Sequence, residues 1–317
     1  MTDSGRRLIS IVTPMYDEEA NVAELTRRLQ AVFAENASYD FEVIAVENGS
    51  SDGTYDRLLD VHGQDPRFKI LRLSRNFGAD GGVSAGLSRA AGDAAVIMCA
   101  DLQDPPELIT DFIAAWEKGY ENVYQIVTKR EGTGFLRRVN SQVFYWLINA
   151  MTGGLFPKNV SDFRLVDRNV YGTINGMHEH NRFMRGMFYW AGFKSYGIEH
   201  ARAPRFAGTT KASTRTVLQL AIKGILSYSY MPLRAITYMG MAVSAAAFIL
   251  LFYFVYKAVF HGVPFAGFGT IVGVMLLMFG FLFTMLGVVA EYIGLIYEEV
   301  KQRPNFVVSE EVGLHQR

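Results

Sequence analysis

Residues 94–107 read AAVIMCADLQDPPE, and the fold turns on how they are read. The first seven form an uninterrupted apolar run of strand length, the pattern of a strand buried on both faces. It passes directly into Asp101, Gln103 and Asp104. A buried strand holds the loop at its end rigidly, and in open parallel sheets ligands bind beyond the carboxyl ends of the strands. Asp104-Pro105-Pro106-Glu107 then predicts a helix start, with Asp104 as N-cap, Pro105 at the first helical position and Glu107 as capping-box partner.

Upstream the same pattern repeats. LISIVTP (8–14), FEVIAVE (41–47) and FKILRLS (68–74) predict strands, as does ENVYQIV (121–127) downstream. Val22, Leu25, Leu29, Val32 and Phe33 recur at helical spacing over 19–35. A short helix to about His62 and a Gly-rich helix over 79–91 complete the series. Strand alternating with helix argues for a parallel sheet with helices on both faces. Asp17-Glu18, Glu47-Asn48, Asp52, Arg75-Asn76 and Asp101 each follow the carboxyl end of a strand.

The bulk numbers exclude several classes. The 317 residues carry 31 basic and 31 acidic side chains, so no net basic field points to nucleic acid. One cysteine, Cys99, excludes an internal disulfide framework. MTDSGRRL leads straight into a strand, so no signal peptide is expected. The dinucleotide fingerprint GxGxxG is missing after the first strand, and no GxxxxGK[ST] occurs. The acidic loops suggest instead a metal-bound diphosphate. Asp101 and Gln103 offer two oxygen ligands one residue apart. On an extended chain alternate side chains share a face, so both would face one Mg²⁺ or Mn²⁺. A plain strand-terminating turn is the competing reading.

Other polar groups are open to two readings. Asp52 either caps a helix starting near Gly53 or touches a nucleotide. Asp17 and Glu18 cap the helix from Glu19 or contact the nucleotide, the latter favoured by their place after the first strand. Arg75 is a phosphate or base contact, or a solvated loop residue. Lys129, Arg130, Arg137 and Arg138 form a basic cluster. Arg164 follows Asp162 in SDFRLVDR, and Arg202, Arg205 and Lys211 lie in a Gly/Thr/Ser-rich stretch. Such groups bind anionic lipid headgroups nonspecifically or a phosphate through guanidinium forks. His178-Glu179-His180 lacks the HExxH spacing of a zinc site.

Residues 235–256 and 262–290 carry no charge, and each run exceeds the roughly 20 residues that cross a bilayer. The short link predicts a hairpin. Arg215, Lys223 and Arg234 precede it and Lys301 and Arg303 follow, against Lys257 and His261 in the link. That bias puts residues 1–234 and the tail in the cytoplasm, with Glu291 marking the exit of the second span. TVLQLAIKGILSYS (216–229) has the apolar face of a helix lying on the membrane surface. The expected divisions are a soluble domain over 1–214, an interfacial helix over 215–233, two spans over 234–297 and a tail over 298–317.

Taken in order, TPMYDEEANV, ENGSSDGT, LSRNFGADGGVSAGL, ADLQDPPELI, SDFRLVDR, RFMRG, RFAGTTK and the closing hairpin with EYIGLIYEEVKQRPNFVV are similar to the membrane-anchored family 2 glycosyltransferases that load a sugar onto a polyprenyl phosphate. The resemblance covers nearly the whole chain. It implies an α/β fold of GT-A (Rossmann-like) type with a C-terminal two-helix transmembrane hairpin. It also implies a divalent metal, an inverting displacement, a nucleotide-sugar donor expected to be UDP-linked, and a homo-oligomer in the cell (inner) membrane. By that resemblance Pro14, Tyr16, Asp17, Glu18, Glu47 and Asp52 surround the nucleotide with Arg75. Asp101 and Gln103 hold the metal. Asp162 and Arg164 lie near the reacting centre, and Arg130, Arg137, Arg205 and Lys211 are candidates for the acceptor phosphate. The chain departs from the family pattern at Glu47-Asn48-Gly49-Ser50, where DDGS is usual, and at Cys99-Ala100-Asp101, where DAD is usual. These departures motivate a second reading, a catalytically silent relative that scaffolds polysaccharide assembly. A third reading, transfer to a growing polysaccharide, has less support because only two spans are present.

Overall fold

The computed structural model describes residues 5–130, 159–180, 182–202, 231–261 and 267–314. The chain divides into two compact units, Met1–Gly224 with Arg303–Arg317, and Ile225–Gln302. In the first, eight strands form one sheet: β1 Leu8–Met15, β2 Asp40–Glu47, β3 Phe68–Leu73, β4 Ala94–Ile97, β5 Asn122–Arg130, β6 Val160–Asp167, β7 Ser195–Arg202 and β8 Val308–Val312. Their order is β7-β5-β6-β4-β1-β2-β3-β8. The helices are α1 Glu19–Glu35, α2 Thr54–Gln64, α3 Gly78–Arg89, α4 Leu108–Glu117, α5 Arg168–Gly176 and α6 Met184–Trp190.

The central strands pair in parallel, β4 with β1, β1 with β2 and β2 with β3. Ile9, Ile11, Val12 and Ile44 are fully buried, which is why these strands read as continuous apolar runs. Away from the centre the parallel expectation holds for β5 with β7 but fails elsewhere. β6 runs antiparallel to β4 and β5, and β8 antiparallel to β3. The sheet is therefore mixed, with the parallel set at its middle.

Each face carries an apolar layer. One holds Val22, Leu25 and Leu29 of α1 with Ile109, Phe112 and Trp116 of α4. The other holds Val12, Ile44, Leu71 and Ile97 with Leu87 of α3, Val170 of α5 and Phe188 of α6. Full burial of such a side chain contributes about 1.5–3 kcal/mol. α3 approaches the sheet unusually closely. A Cβ on Gly86 would stand 2.2 Å from Val12 Cγ1, and one on Gly82 2.9 Å from Pro14 Cβ. This contact explains Gly82 and Gly86, each of which costs about 1 kcal/mol of helix propensity.

β8 lies in a segment expected only as a tail. Glu311 accepts from Arg89 Nε and Nη2 at 3.0 and 2.8 Å. Ser74 N–H donates to the Val307 carbonyl at 2.9 Å, and Asn305 Nδ2 donates to the Glu179 carbonyl at 3.1 Å. Phe306, Val308 and Leu314 pack on the second apolar layer. Two glutamates in a five-residue strand hide it from a hydrophobic reading; their partners are arginines of the sheet domain.

The second unit is a pair of helices, α7 Met231–His261 and α8 Phe268–Val300. At 1.5 Å per residue they are about 46 and 50 Å long, beyond the roughly 30 Å of a bilayer core. Leu233–Leu250 and Leu277–Val300, mean hydropathy 1.6 and 1.9, are long and apolar enough to cross a membrane. Phe252, Phe283 and Ile293 are among their exposed apolar side chains. A Cβ on Gly240 of α7 would lie 4.0 Å from Met285 Cε of α8. α8 continues past Glu291 to Val300 as one helix. Residues 215–230 of the expected interfacial helix lie outside the described residues.

Candidate active site

The loops after β1 and β2 are stitched to each other. Asp17, at φ 51°, donates its N–H to Ser50 Oγ at 3.1 Å and accepts from Ser51 N–H at 2.8 Å. Glu18 N–H donates to Thr54 Oγ1 at 2.9 Å. Asp52 accepts from Glu19 N–H at 3.2 Å and from Thr54 N–H at 3.1 Å. One carboxylate thus serves the amino ends of α1 and α2 together, satisfying N–H groups that a helix start leaves unpaired. Glu19 returns the contact by accepting from Gly53 N–H at 3.1 Å. The capping half of the Asp52 reading is therefore seen, while the α1 cap comes from Asp52 rather than from Asp17 or Glu18. A cleft of about 870 Å³ opens between α1 and α2, with Asp17, Glu18 and Asp52 on its lining.

The β2 and β3 loops meet in the same way. Glu47 is 1% exposed; its carboxylate accepts from Ser50 N–H and, at 3.2 Å, from Arg72 Nε. Asn48 accepts from Phe77 N–H and donates to the Gly78 carbonyl, both at 2.9 Å. An ionised carboxylate has no donor for that second bond, so the departure from DDGS has a structural reason: the amide joins two loops. Gly49, at φ 71°, lies so close to the Arg75 backbone that a Cβ would stand 2.6 Å away. Arg75 is exposed at this mouth, its guanidinium 4.1 Å from the Phe77 ring. Pro14 and Tyr16 flank the end of β1.

The β4 loop corrects one expectation. Asp101, Leu102 and Gln103 are not extended. Asp101 Oδ1 accepts from Gln103 N–H at 3.2 Å, and Leu102 sits at φ 56°. The side-chain hydrogen bond closes a turn, and the buried Leu102 side chain pins it in a left-handed conformation that costs a β-unbranched residue about 1–3 kcal/mol. Strain of this kind concentrates at functional loops. Asp104 is also reassigned. α4 starts at Leu108, and Asp104 is buried and accepts from Ser161 Oγ at 3.0 Å. Glu107 pairs with Arg28 of α1.

That bond ties the β4 loop to β6. Ile97 pairs with Arg164 across β4 and β6, where β4 ends. Asp162, 54% exposed at its side chain, accepts from Arg185 Nε and Nη2 at 2.8 and 2.7 Å. Arg164 is 1% exposed. Its guanidinium lies 4.5 Å from the Phe188 ring and 5.5 Å from that of Tyr189, and it donates to the carbonyls of Asp162 and Ser161 at 3.4 Å. Nη1 has no hydrogen-bond partner among the described residues. Burial lowers the Arg164 pKa and pushes the Tyr189 hydroxyl up to about 12. Arg185 was not singled out in the sequence; the RFMRG segment gave no role for its second arginine until α6 brought it to Asp162.

Arg130 ends β5 in register with Arg202 of β7. Arg137, Arg205 and Lys211 lie outside the described residues. Among the described residues no three His, Cys, Asp or Glu side chains gather as a metal cage. The available donors, the Asp101 carboxylate and the Gln103 amide, fit Mg²⁺ or Mn²⁺ of the kind held by one or two carboxylates together with substrate phosphates. The Cys99 thiol is too soft to join that set.

A family model described as Glycosyl transferase family 2 matches residues 10–193. Over 308 residues the chain is 38% identical to the uncharacterized glycosyltransferase YkcC of Bacillus subtilis (strain 168), spanning 97% of this chain and 95% of the relative. It is 34% identical over 300 residues to the bactoprenol glucosyl transferase of Shigella phage SfII, spanning 95% and 97%. Among solved structures, a mycobacterial protein is similar in fold at TM-score 0.50 and 16% identity, over 70% of this chain and 75% of that one.

Proposed function

The chain belongs to glycosyl transferase family 2, and from that premise we propose that it transfers a sugar from a nucleotide-sugar donor to a polyprenyl phosphate at the cytoplasmic face of the cell membrane. The fold is GT-A, as the resemblance implied. The observation that carries the acceptor reading is the placement of the apolar pair α7 and α8 between two pieces of one sheet domain. Along the chain, segments of that domain precede and follow the pair, as expected of a domain that works on a membrane-borne acceptor. Similarity to a bactoprenol glucosyl transferase over 95% of the chain supports the same acceptor.

In this reading Pro14, Tyr16, Asp17, Glu18, Glu47, Asp52 and Arg75 form the nucleotide side, with Asp17, Glu47 and Asp52 fixing the loops that line it. A Mg²⁺ or Mn²⁺ held by Asp101 and Gln103 would neutralise charge on the leaving diphosphate. The Gln103 N–H to Asp101 Oδ1 bond fixes the backbone of the loop that carries both donors. A phosphate monoester has a second pKa of about 6 and is largely dianionic near neutrality. Such a nucleophile needs little general-base help, so Asp162 positions groups rather than abstracting a proton. Arg164, with Arg130, Arg137, Arg205 and Lys211, offsets repulsion between two anionic substrates. Attack from the face opposite the diphosphate inverts the anomeric centre, and the product serves envelope glycan modification. Because Asn48 is a structural joint, one of the two motives for a silent scaffold is removed.

The test is incubation of purified full-length protein with a panel of sugar nucleotides, Mg²⁺ or Mn²⁺ and undecaprenyl phosphate, with mass spectrometry and NMR of the lipid. A glycolipid of inverted anomeric configuration is expected. Absence of product with every donor overturns the proposal.

A further inference from the structure

We infer that Arg185 is a direct ligand of the acceptor phosphate and that the Asp162 carboxylate holds its place until the acceptor arrives. The inference rests on the polyprenyl-phosphate reading above and adds to it a residue and an exchange. Asp162 occupies both nitrogens of the Arg185 fork at 2.8 and 2.7 Å. A fork of that geometry fits phosphate as well as carboxylate. Asp162 is more than half exposed and Arg185 is 24% exposed at its side chain, so the pair stands at an accessible mouth, not in the core.

A second guanidinium, that of Arg164, stands near the pair. Asp162 and Arg164 are two residues apart on β6 and so point to the same face, the one that α6 covers. Two guanidiniums therefore share one carboxylate, and each feels the other's charge. Arg164 is buried, donates to two carbonyls at the long distance of 3.4 Å, stands beside the Tyr189 ring and hydroxyl, and keeps Nη1 without a partner among the described residues. A buried cation in that condition costs several kcal/mol unless an anion joins it. A dianion brings twice the charge of Asp162 to the same fork and also reaches the side of Arg164. The cluster lies beside the donor loop, since Ser161, next to Asp162, bonds Asp104, and Arg164 pairs with Ile97 at the end of β4. Arg185 is also held firmly: Met184 N–H donates to Asp80 Oδ1 at 3.3 Å, and Ser84 Oγ contacts Met184 Sδ at 3.3 Å, fixing α6 to α3.

The experiment uses full-length protein in detergent, with Arg185→Gln, Arg185→Lys and Asp162→Asn, each checked for an unfolding midpoint near that of the unchanged protein. Steady-state rates give KM for polyprenyl phosphate and for the sugar nucleotide separately. Calorimetry with a short-chain prenyl phosphate gives binding without turnover. Charge-assisted hydrogen bonds predict a rise of about tenfold or more in acceptor KM and in prenyl phosphate Kd for Arg185→Gln. Donor KM stays within about twofold, and Arg185→Lys recovers part of the loss. Asp162→Asn binds prenyl phosphate severalfold more tightly while kcat falls. Unchanged prenyl phosphate binding in Arg185→Gln, an equal rise in donor KM, or weaker binding in Asp162→Asn overturns the inference. If the unchanged protein transfers nothing to polyprenyl phosphate, the acceptor reading fails by itself, and the calorimetry still decides the role of Arg185.

Discussion

Arg164→Met is expected to make the protein more stable and less active at once. The guanidinium is 1% exposed, and its two carbonyl contacts at 3.4 Å are long for hydrogen bonds. The effective penalty for a buried charge is several kcal/mol. Against it stand the contacts with Phe188 and Tyr189, about 0.5–2 kcal/mol each when desolvated, and an attraction to Asp162 that Arg185 already shares. Methionine is of similar length and restores about 0.3–1.5 kcal/mol of sulfur–aromatic contact. Replacing buried charge by apolar volume commonly stabilises by about 1–4 kcal/mol; here the lost ring contacts bring the expectation to about 1–3 kcal/mol. For a domain of this size that is a rise of about 2–10 °C in Tm. The assay is thermal unfolding of full-length protein in detergent by tryptophan fluorescence, run beside the transfer assay, where a loss of about 10²-fold or more is expected. Added prenyl phosphate should raise the Tm of the unchanged protein and not that of the variant. A lower Tm for Arg164→Met refutes the reasoning, because the guanidinium would then be satisfied by the fold itself.

Asp101→Asn should cut transfer by about 10²–10³-fold, and chelation of divalent ions should do the same to the unchanged protein; initial rates with and without EDTA check both. Gly86→Ala should lower stability by about 1–3 kcal/mol through overpacking, despite the gain in helix propensity, because the new Cβ meets Val12 at 2.2 Å; urea unfolding midpoints measure it. Asp65 has its pKa held at about 2, first by the hydrogen bond from Arg67. Its native pKa lies below the unfolded value, so its contribution is present above about pH 4 and is lost as pH falls toward 2. Asp65→Asn should therefore be less stable than the unchanged protein at pH 7 and nearly equal to it at pH 2, and a gap that persists in acid would speak against the ion pair.

Much of the architecture could be read from residue periodicity. β1 to β4 announce themselves as short apolar runs, and α1 by Val22, Leu25, Leu29, Val32 and Phe33, all of which are buried. The candidate site at the strand ends was read from where the polar clusters fell, and the loops after β1, β2 and β3 do meet there. What escaped is contact between segments far apart in the chain. The antiparallel β6 depends on pairing that no local pattern encodes, and β8 on arginines more than two hundred residues away. The Asp101–Gln103 turn was missed because the period-two rule holds only for extended backbone, and a single side-chain bond to Gln103 N–H ended the extension. Asp104 looked like a cap by spacing, yet its partner is Ser161 on another strand. Arg185 carried no local mark of function; only a helix of seven residues, laid across β6, gives it one.

The pairing of β8 with β3 also sets an order of events during synthesis. Until the ribosome has passed Val308, β3 presents an unpaired edge, a template for pairing with another chain. Everything from Ser74 to Val307, the whole apolar hairpin included, must be made before that edge is closed. A message truncated just after α8 would release a polypeptide whose hairpin is complete and whose sheet is still adhesive. Such a product should aggregate, and β8 thereby acts as a seal on the β3 edge.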